Sequence, residues 1–342
     1  MTDRIEKVCM VRFGGMGDIL LATPALRAVS RTFQTDAIDV IVGKNMSDAV
    51  RGTAYIRRVM EWDKRGADAR IANFARFLLD LRRERYDLFL NFQPGTRSHL
   101  MAWAAGANQT VTFAKNRRKQ PETGRVRHAI DDFSKELKPL GIETVADRRM
   151  DFHVPNVARD SVRTTLAGCG ITGAYLVANP AASHAVNRYS PERLGAMIAQ
   201  VAALRPEMAW VVTGTASEQP LADAVVAATL STLRGGRVVS LAGKLSVKEL
   251  GALLAGAACV VTADTGPLHI ASAVGTPLVC LFGAADPDRT GPILPRDLVI
   301  SRRDLSCLPC QSRTCRRGDI ACMTGLPVEW VVSAVIKQLE NP

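Results

Sequence analysis

The stretch Gly14-Gly15-Met16-Gly17-Asp18 places one carboxylate among three glycines. Glycine lets another molecule approach the backbone closely, so Gly15 and Gly17 are candidates for contact with an acceptor. Asp18 falls at a helix start, where it either caps the helix or serves as general base toward a bound hydroxyl. Far along the chain, Ala263-Asp264-Thr265-Gly266-Pro267-Leu268-His269 follows a β-branched apolar run and opens a short helical pattern. The first amides of a helix have no partner inside it and attract phosphate, which makes Thr265 and Gly266 candidates for an anion site. Asp264 either caps that turn or binds a ligand hydroxyl. A third group, Cys307, Cys310, Cys315 and Cys322, has the spacing C-x2-C-x4-C-x6-C. It suits a closed, structural four-thiolate site for zinc or iron, with free thiols and oxidised pairs as the alternatives.

These residues need a scaffold, and the chain has the length for one. Its 342 residues exceed the usual size of a single compact core, so two domains are expected, 1–160 and 173–325, followed by a helix from 326 to 342. A hydrophobic content of 47% excludes a mostly disordered chain, and an aromatic content of 5% argues against stacking on single-stranded nucleic acid. Lys and Arg number 44 against 33 Asp and Glu, a net charge of +11 that favours anionic partners. The N-terminus lacks the apolar core of a signal peptide, and no run reaches the ~18 apolar residues of a membrane span. A cytoplasmic protein, peripheral at the inner membrane, is the expectation.

The elements alternate. Strands are predicted at 8–13, 38–42, 58–62 and 86–91, with helices at 19–32, 71–83 and 98–105. The pattern loosens over 141–173, with the domain boundary near 155–173, and strands follow at 175–179, 210–214, 238–241, 257–261 and 278–283, separated by helices. This is the α/β pattern of parallel sheets covered on both faces. In such sheets ligands bind beyond the carboxyl ends of the strands, so Ser183, Gly214, Glu218, Lys244, Asp264 and Thr265 should share one crevice. Two basic tracts lie in loops of the first half: Lys64 and Arg65, then Arg117, Arg118 and Lys119 continuing to Arg125, Arg127 and His128. Converging near Asp18, they would form a positive mouth for an anionic acceptor, although such runs are more often solvated surface.

Two segments together, Gly15-Met16-Gly17-Asp18-Ile19-Leu20-Leu21-Ala22-Thr23-Pro24-Ala25-Leu26 and Asp264-Thr265-Gly266-Pro267-Leu268-His269-Ile270-Ala271, resemble the family-nine glycosyltransferases. These are the heptosyltransferases of the lipopolysaccharide inner core. The similarity extends over Asn179-Pro180-Ala181-Ala182 and the cysteine-bearing tail. The resemblance implies a GT-B fold: two Rossmann-like domains facing across a cleft, an acceptor of the lipid A/Kdo-core type on the first, ADP-heptose on the second, and a last helix crossing back to the first domain. It implies an inverting reaction that requires no cofactor. By that analogy Asp18 is the base, Ser183, Thr265 and Gly266 hold the diphosphate, and Glu218 binds the ribose. Leu245 and Ser246 would lie beside the adenine, and Asp264 and His269 against the donor sugar and phosphates. Arg188 takes the place of a lysine frequent in relatives and would stabilise the leaving group, with Asn187 the neighbouring match for that position.

Other readings are a GT-B transferase with another nucleotide sugar or a protein acceptor, and a sugar-nucleotide epimerase. A nucleic-acid binder would explain the charge, but no zinc-finger His pair or RNA-binding aromatic motif is present. Gly15-Met16-Gly17 lacks the third glycine of a dinucleotide fingerprint and the Lys-Ser/Thr of a P-loop, which disfavours an oxidoreductase.

Overall fold

The computed structural model describes residues 4–114, 120, 123–233 and 236–340. Contacts divide the chain into two units, 1–153 and 154–342.

In the first unit the elements are β1 (Lys7–Arg12), α1 (Met16–Leu20), α2 (Thr23–Phe33), β2 (Ala37–Gly43), β3 (Ile56–Trp62), α3 (Ile71–Arg83), β4 (Leu88–Asn91), α4 (Thr96–Ala105), β5 (Gln109–Thr112) and α5 (Ala129–Lys135). The strands form a parallel sheet in the order β3-β2-β1-β4-β5. Helices cover both faces, which is why β1 and β2 read as near-continuous apolar runs. The single helix expected over 19–32 is two. Thr23 Oγ1 donates to Leu20 O and accepts from Asp151 N, and Pro24 follows in the first turn of α2. The Thr-Pro of the first motif is therefore a joint between helices, tied to the end of the unit.

In the second unit the elements are α6 (Asn156–Gly168), β6 (Tyr175–Asn179), α7 (Pro191–Leu204), β7 (Ala209–Val212), α8 (Gln219–Thr232), β8 (Val238–Ser240), α9 (Val247–Ala255), β9 (Val260–Ala263), α10 (Gly266–Val274), β10 (Leu278–Leu281), α11 (Pro287–Thr290), β11 (Leu298–Ile300), α12 (Ala321–Thr324) and α13 (Val328–Glu340). The sheet order is β11-β10-β9-β6-β7-β8, again parallel. The stretch 155–173 is not a loose linker. Ala158, Val162 and Leu166 recur every four residues on one buried face of α6, and Ser161 Oγ donates to Glu249 Oε1 on α9 at 2.5 Å. The helix expected to cross from residue 326 to the first domain uses its apolar face within the second unit. Val331 and Val335 are fully buried with Met197 and Ile198 of α7, and Gln338 Nε2 donates to Leu278 O and Arg296 O. No helix among the described residues is long and apolar enough to cross a membrane.

Each sheet has one point where successive connections leave in opposite directions. It lies between β1 and β4 in the first unit and between β6 and β9 in the second. Loops diverge there and open a crevice beyond the carboxyl ends of the strands.

Candidate active site

At the first switch point β1 delivers Arg12, and the turn after it starts α1 with Asp18 in its first turn. Arg12 Nη2 lies 2.8 Å from Asp18 Oδ1, and its Nη1 donates to Phe92 O at 2.7 Å. The guanidinium lies 5.3 Å from the centroid of the Phe133 ring, itself packed against Phe92 and Phe113. Arg12 is nearly buried while the Asp18 side chain remains about half exposed. The cation is thus fixed by packing, and it holds one carboxylate oxygen while the group stays open to a ligand. Asp18 does not cap its helix, because the cap position is Gly15 and makes no side-chain bond. Gly14 is sterically required: a Cβ there would stand 2.4 Å from Asp18 Oδ2. A Cβ on Gly15 would meet nothing within 4 Å, in keeping with room for another molecule.

Lys64 and Arg65 join this end of the sheet. With Phe13, Trp62, Gln93 and the start of α4 they line a cavity of about 430 Å³. Asp63 is spent on the turn itself, accepting from Arg65 N, Gly66 N and Lys44 Nζ, and these bonds hold its carboxyl below the usual range, Lys44 first among them. Arg97, which the sequence reading did not single out, donates to Lys64 O at 3.0 Å and lines the same cavity. Three cations and the amino end of α4 therefore surround it, a setting for phosphate or carboxylate. Arg117, Arg118 and Lys119 lie outside the described residues. Further along that tract, Arg127 pairs with Asp132 at 3.4 Å and His128 caps α5 through Ile130 N, so these two serve the fold.

The second crevice is built differently. Asn179 Nδ2 donates to Ala181 O and Thr262 Oγ1, which joins the ends of β6 and β9. Gly243, at φ +73°, is where a Cβ would stand 2.9 Å from Ala216 Cα, and its N–H donates to Gly214 O, joining the ends of β7 and β8. Asn187 is buried and accepts from Ala284 N at 2.9 Å. Arg188 beside it is exposed, so of the two it is Arg188 whose side chain reaches solvent. Ser183 and Lys244 are likewise exposed, and Leu245 is half-buried.

Asp264 leads into Thr265, the extended residue before α10. Thr290 of α11 donates to Asp264 Oδ2 at 3.3 Å, and His269 Nε2 lies 3.8 Å from Asp264 Oδ1, with His269 almost fully buried. Leu268 N donates to Thr265 O and residue 267 is proline, so of the first amides of α10 that of Gly266 is the one a ligand could use. Glu218 Oε2 accepts from Thr215 N at 2.8 Å in a capping box, leaving Oε1 for a ligand. Ser246 is committed in the same way, its hydroxyl accepting from Glu249 N and its N–H donating to Glu249 Oε2. Ser246 is therefore the cap of α9.

Cys307, Cys310, Cys315 and Cys322 all line one cavity of about 330 Å³, backed by Val186 and Ala284 from the loops after β6 and β10. Among the described residues no three Cys, His, Asp or Glu side chains converge as an ion would require, and the eight cysteines are unbridged. The thiols share a wall without closing on a point. Their segment braces the crevice: Gln311 N donates to Ala284 O at 2.7 Å, beside the contact with Asn187.

The sequence pattern of glycosyltransferase family 9 (heptosyltransferase) matches residues 74–321. The chain belongs to glycosyltransferase family 9. The transferase is 26% identical over 283 residues to lipopolysaccharide heptosyltransferase 3 of Escherichia coli, 79% of this chain and 81% of that one. In fold it is similar to a family 9 glycosyl transferase from Veillonella parvula, with a TM-score of 0.86, 18% identity, and 100% and 99% of the two chains covered. E. coli heptosyltransferase WaaC, solved with ADP-2-deoxy-2-fluoro heptose, gives 0.63 at 20% identity over 86% and 92%. The transferase thus has the GT-B class of fold expected from its motifs, with a parallel α/β sheet in each unit.

Proposed function

We propose that this glycosyltransferase moves heptose from ADP-heptose to a sugar hydroxyl of an anionic lipopolysaccharide core acceptor, with inversion and without a catalytic metal. The donor belongs to the second unit. Gly266 N–H and the Ser183 hydroxyl face its diphosphate, Arg188 neutralises charge on the departing ADP, and the free Glu218 oxygen takes a ribose hydroxyl. The acceptor belongs to the first unit, its negative groups drawn to Lys64, Arg65 and Arg97. Asp18 removes the proton from the attacking hydroxyl as that oxygen bonds to the anomeric carbon and the bond to ADP breaks on the opposite face. Arg12 orients the carboxylate and takes no proton.

The observation that carries this reading is the half-open Asp18, held by a packed arginine at a sheet's switch point beside a basic cavity. A lone cap would need neither. The test is release of ADP from ADP-heptose with and without deep-core lipopolysaccharide. Release that depends on the acceptor, with UDP- and GDP-sugars inert, supports the reading; equal release from UDP-sugars, or none from ADP-heptose, overturns it.

A further inference from the structure

Helices α3 and α4 lie side by side on one face of the first sheet. Phe74, Phe77, Leu78 and Leu81 of α3 pack with Met101, Ala102 and Ala105 of α4 over Trp62 and Tyr86. A helix in this position ordinarily turns a polar stripe to water. These two do not. Eight large apolar side chains are exposed among the described residues, and four are here: Ile71 at 89%, Leu79 at 59%, Leu100 at 41% and Trp103 at 79%. The two helices carry Arg76, Arg82, Arg83 and Arg97 against one acid, Asp80. Both ends of the pair are basic. Lys64, Arg65 and Arg97 line the cavity at the amino end of α4. Arg82, Arg83 and Arg85, with the single acid Asp87, line a hollow of about 580 Å³ at the carboxyl ends of both helices.

We propose that the outer face of α3 and α4 docks this protein on an anionic bilayer surface. Apolar side chains, tryptophan above all, gain by sinking to the level of the headgroups, and flanking arginines meet the lipid phosphates. An exposed apolar face fringed with one sign of charge fits a surface of the opposite sign, whereas a second copy of this chain would bring arginine against arginine. The purpose of docking rests on the transferase reading: an acceptor anchored in the same lipid would present its sugars to the cavity at the amino end of α4.

The test is sedimentation of the full chain with vesicles of phosphatidylcholine alone or with phosphatidylglycerol added, with neither donor nor acceptor present, so that its outcome is independent of the transfer chemistry. Binding that needs phosphatidylglycerol and weakens with salt is expected. Ile71→Ser, Leu79→Ser and Trp103→Ser together should lower it at least ~10-fold with circular dichroism and melting temperature unchanged, since all three side chains already face water. In a Trp330→Phe background, where Trp62 and Trp210 are buried, emission should shift to the blue with vesicles as Trp103 leaves water. Undiminished binding by the triple variant overturns the proposal, as does an unshifted emission. A dimer of the parent chain that the same variant dissociates would assign the face to a second copy instead and overturn it equally.

Discussion

The two units share a topology and differ in how they satisfy their carboxylates. In the first, two carboxylates of the central strands and the turn beyond them meet guanidinium groups. Asp18 has Arg12, and the fully buried Asp39 has Arg57 at 2.6 Å, Arg58 at 2.9 Å and the Tyr86 hydroxyl. In the second, Glu218 and Glu249 meet backbone N–H groups in their capping boxes, Asp264 accepts from the Thr290 hydroxyl, and desolvation raises the pKa of the half-buried Asp297 against the pull of Arg296. The difference suits the two tasks. A proton acceptor has to be aimed and kept available, which a packed arginine does; the proposed diphosphate site has to present an amide and a cation.

Removing the first unit's acceptor should have the largest effect. Asp18→Asn is expected to lower turnover by at least ~10²-fold, the usual scale for a general base, while leaving the melting temperature close to the parent's. Next comes the space that carboxylate occupies. Gly14→Ala would drive a methyl group into Asp18, and about 10-fold loss of turnover with donor KM unchanged is expected from misplacing the base. Full activity in this variant would show that the aim of Asp18 is not what matters.

On the donor side the effects should be smaller and fall on affinity. Glu218→Gln keeps a weaker cap at Thr215 and loses charge-assisted bonding to ribose, so a few-fold rise in donor KM with little change in kcat is expected. A fall in kcat alone would remove Glu218 from the donor site.

The least effect tests the contrast through stability. Burial pushes the Asp297 carboxyl up to about 7, so the folded chain holds that proton more tightly than the unfolded chain. Stability from this group is therefore present below about pH 4 and is lost as pH rises through about 7. Asp297→Asn should melt higher than the parent near pH 8 and no higher near pH 5. A difference independent of pH would contradict the assignment.

Much of this was legible in the sequence because its signals are local. Strand, turn and helix start follow one another within a dozen residues around Asp18 and around Asp264, and each motif lies at its sheet's carboxyl edge as the pattern implied. What escaped was partnership between distant segments. Nothing near Arg12 in the chain announces Phe92 and Phe133, which turn an ordinary strand-end arginine into the clamp on Asp18. Gly14 looked interchangeable with its neighbours until its absent Cβ was seen to make room for a carboxylate. Helix α6 was missed because three small or branched apolar residues among polar ones make a faint stripe that only the packing against α9 completes. The helix predicted at 71–83 did not show which of its apolar residues are covered: Phe74, Phe77, Leu78 and Leu81 turn inward and Ile71 and Leu79 do not.

The division of labour between the units has one direct test, calorimetric titration of ADP-heptose into the Asp18→Asn protein. Donor affinity within about twofold of the parent, in a protein that has lost turnover, is the predicted result, since every residue proposed for the donor belongs to the second unit. Donor binding that disappears together with turnover would contradict it.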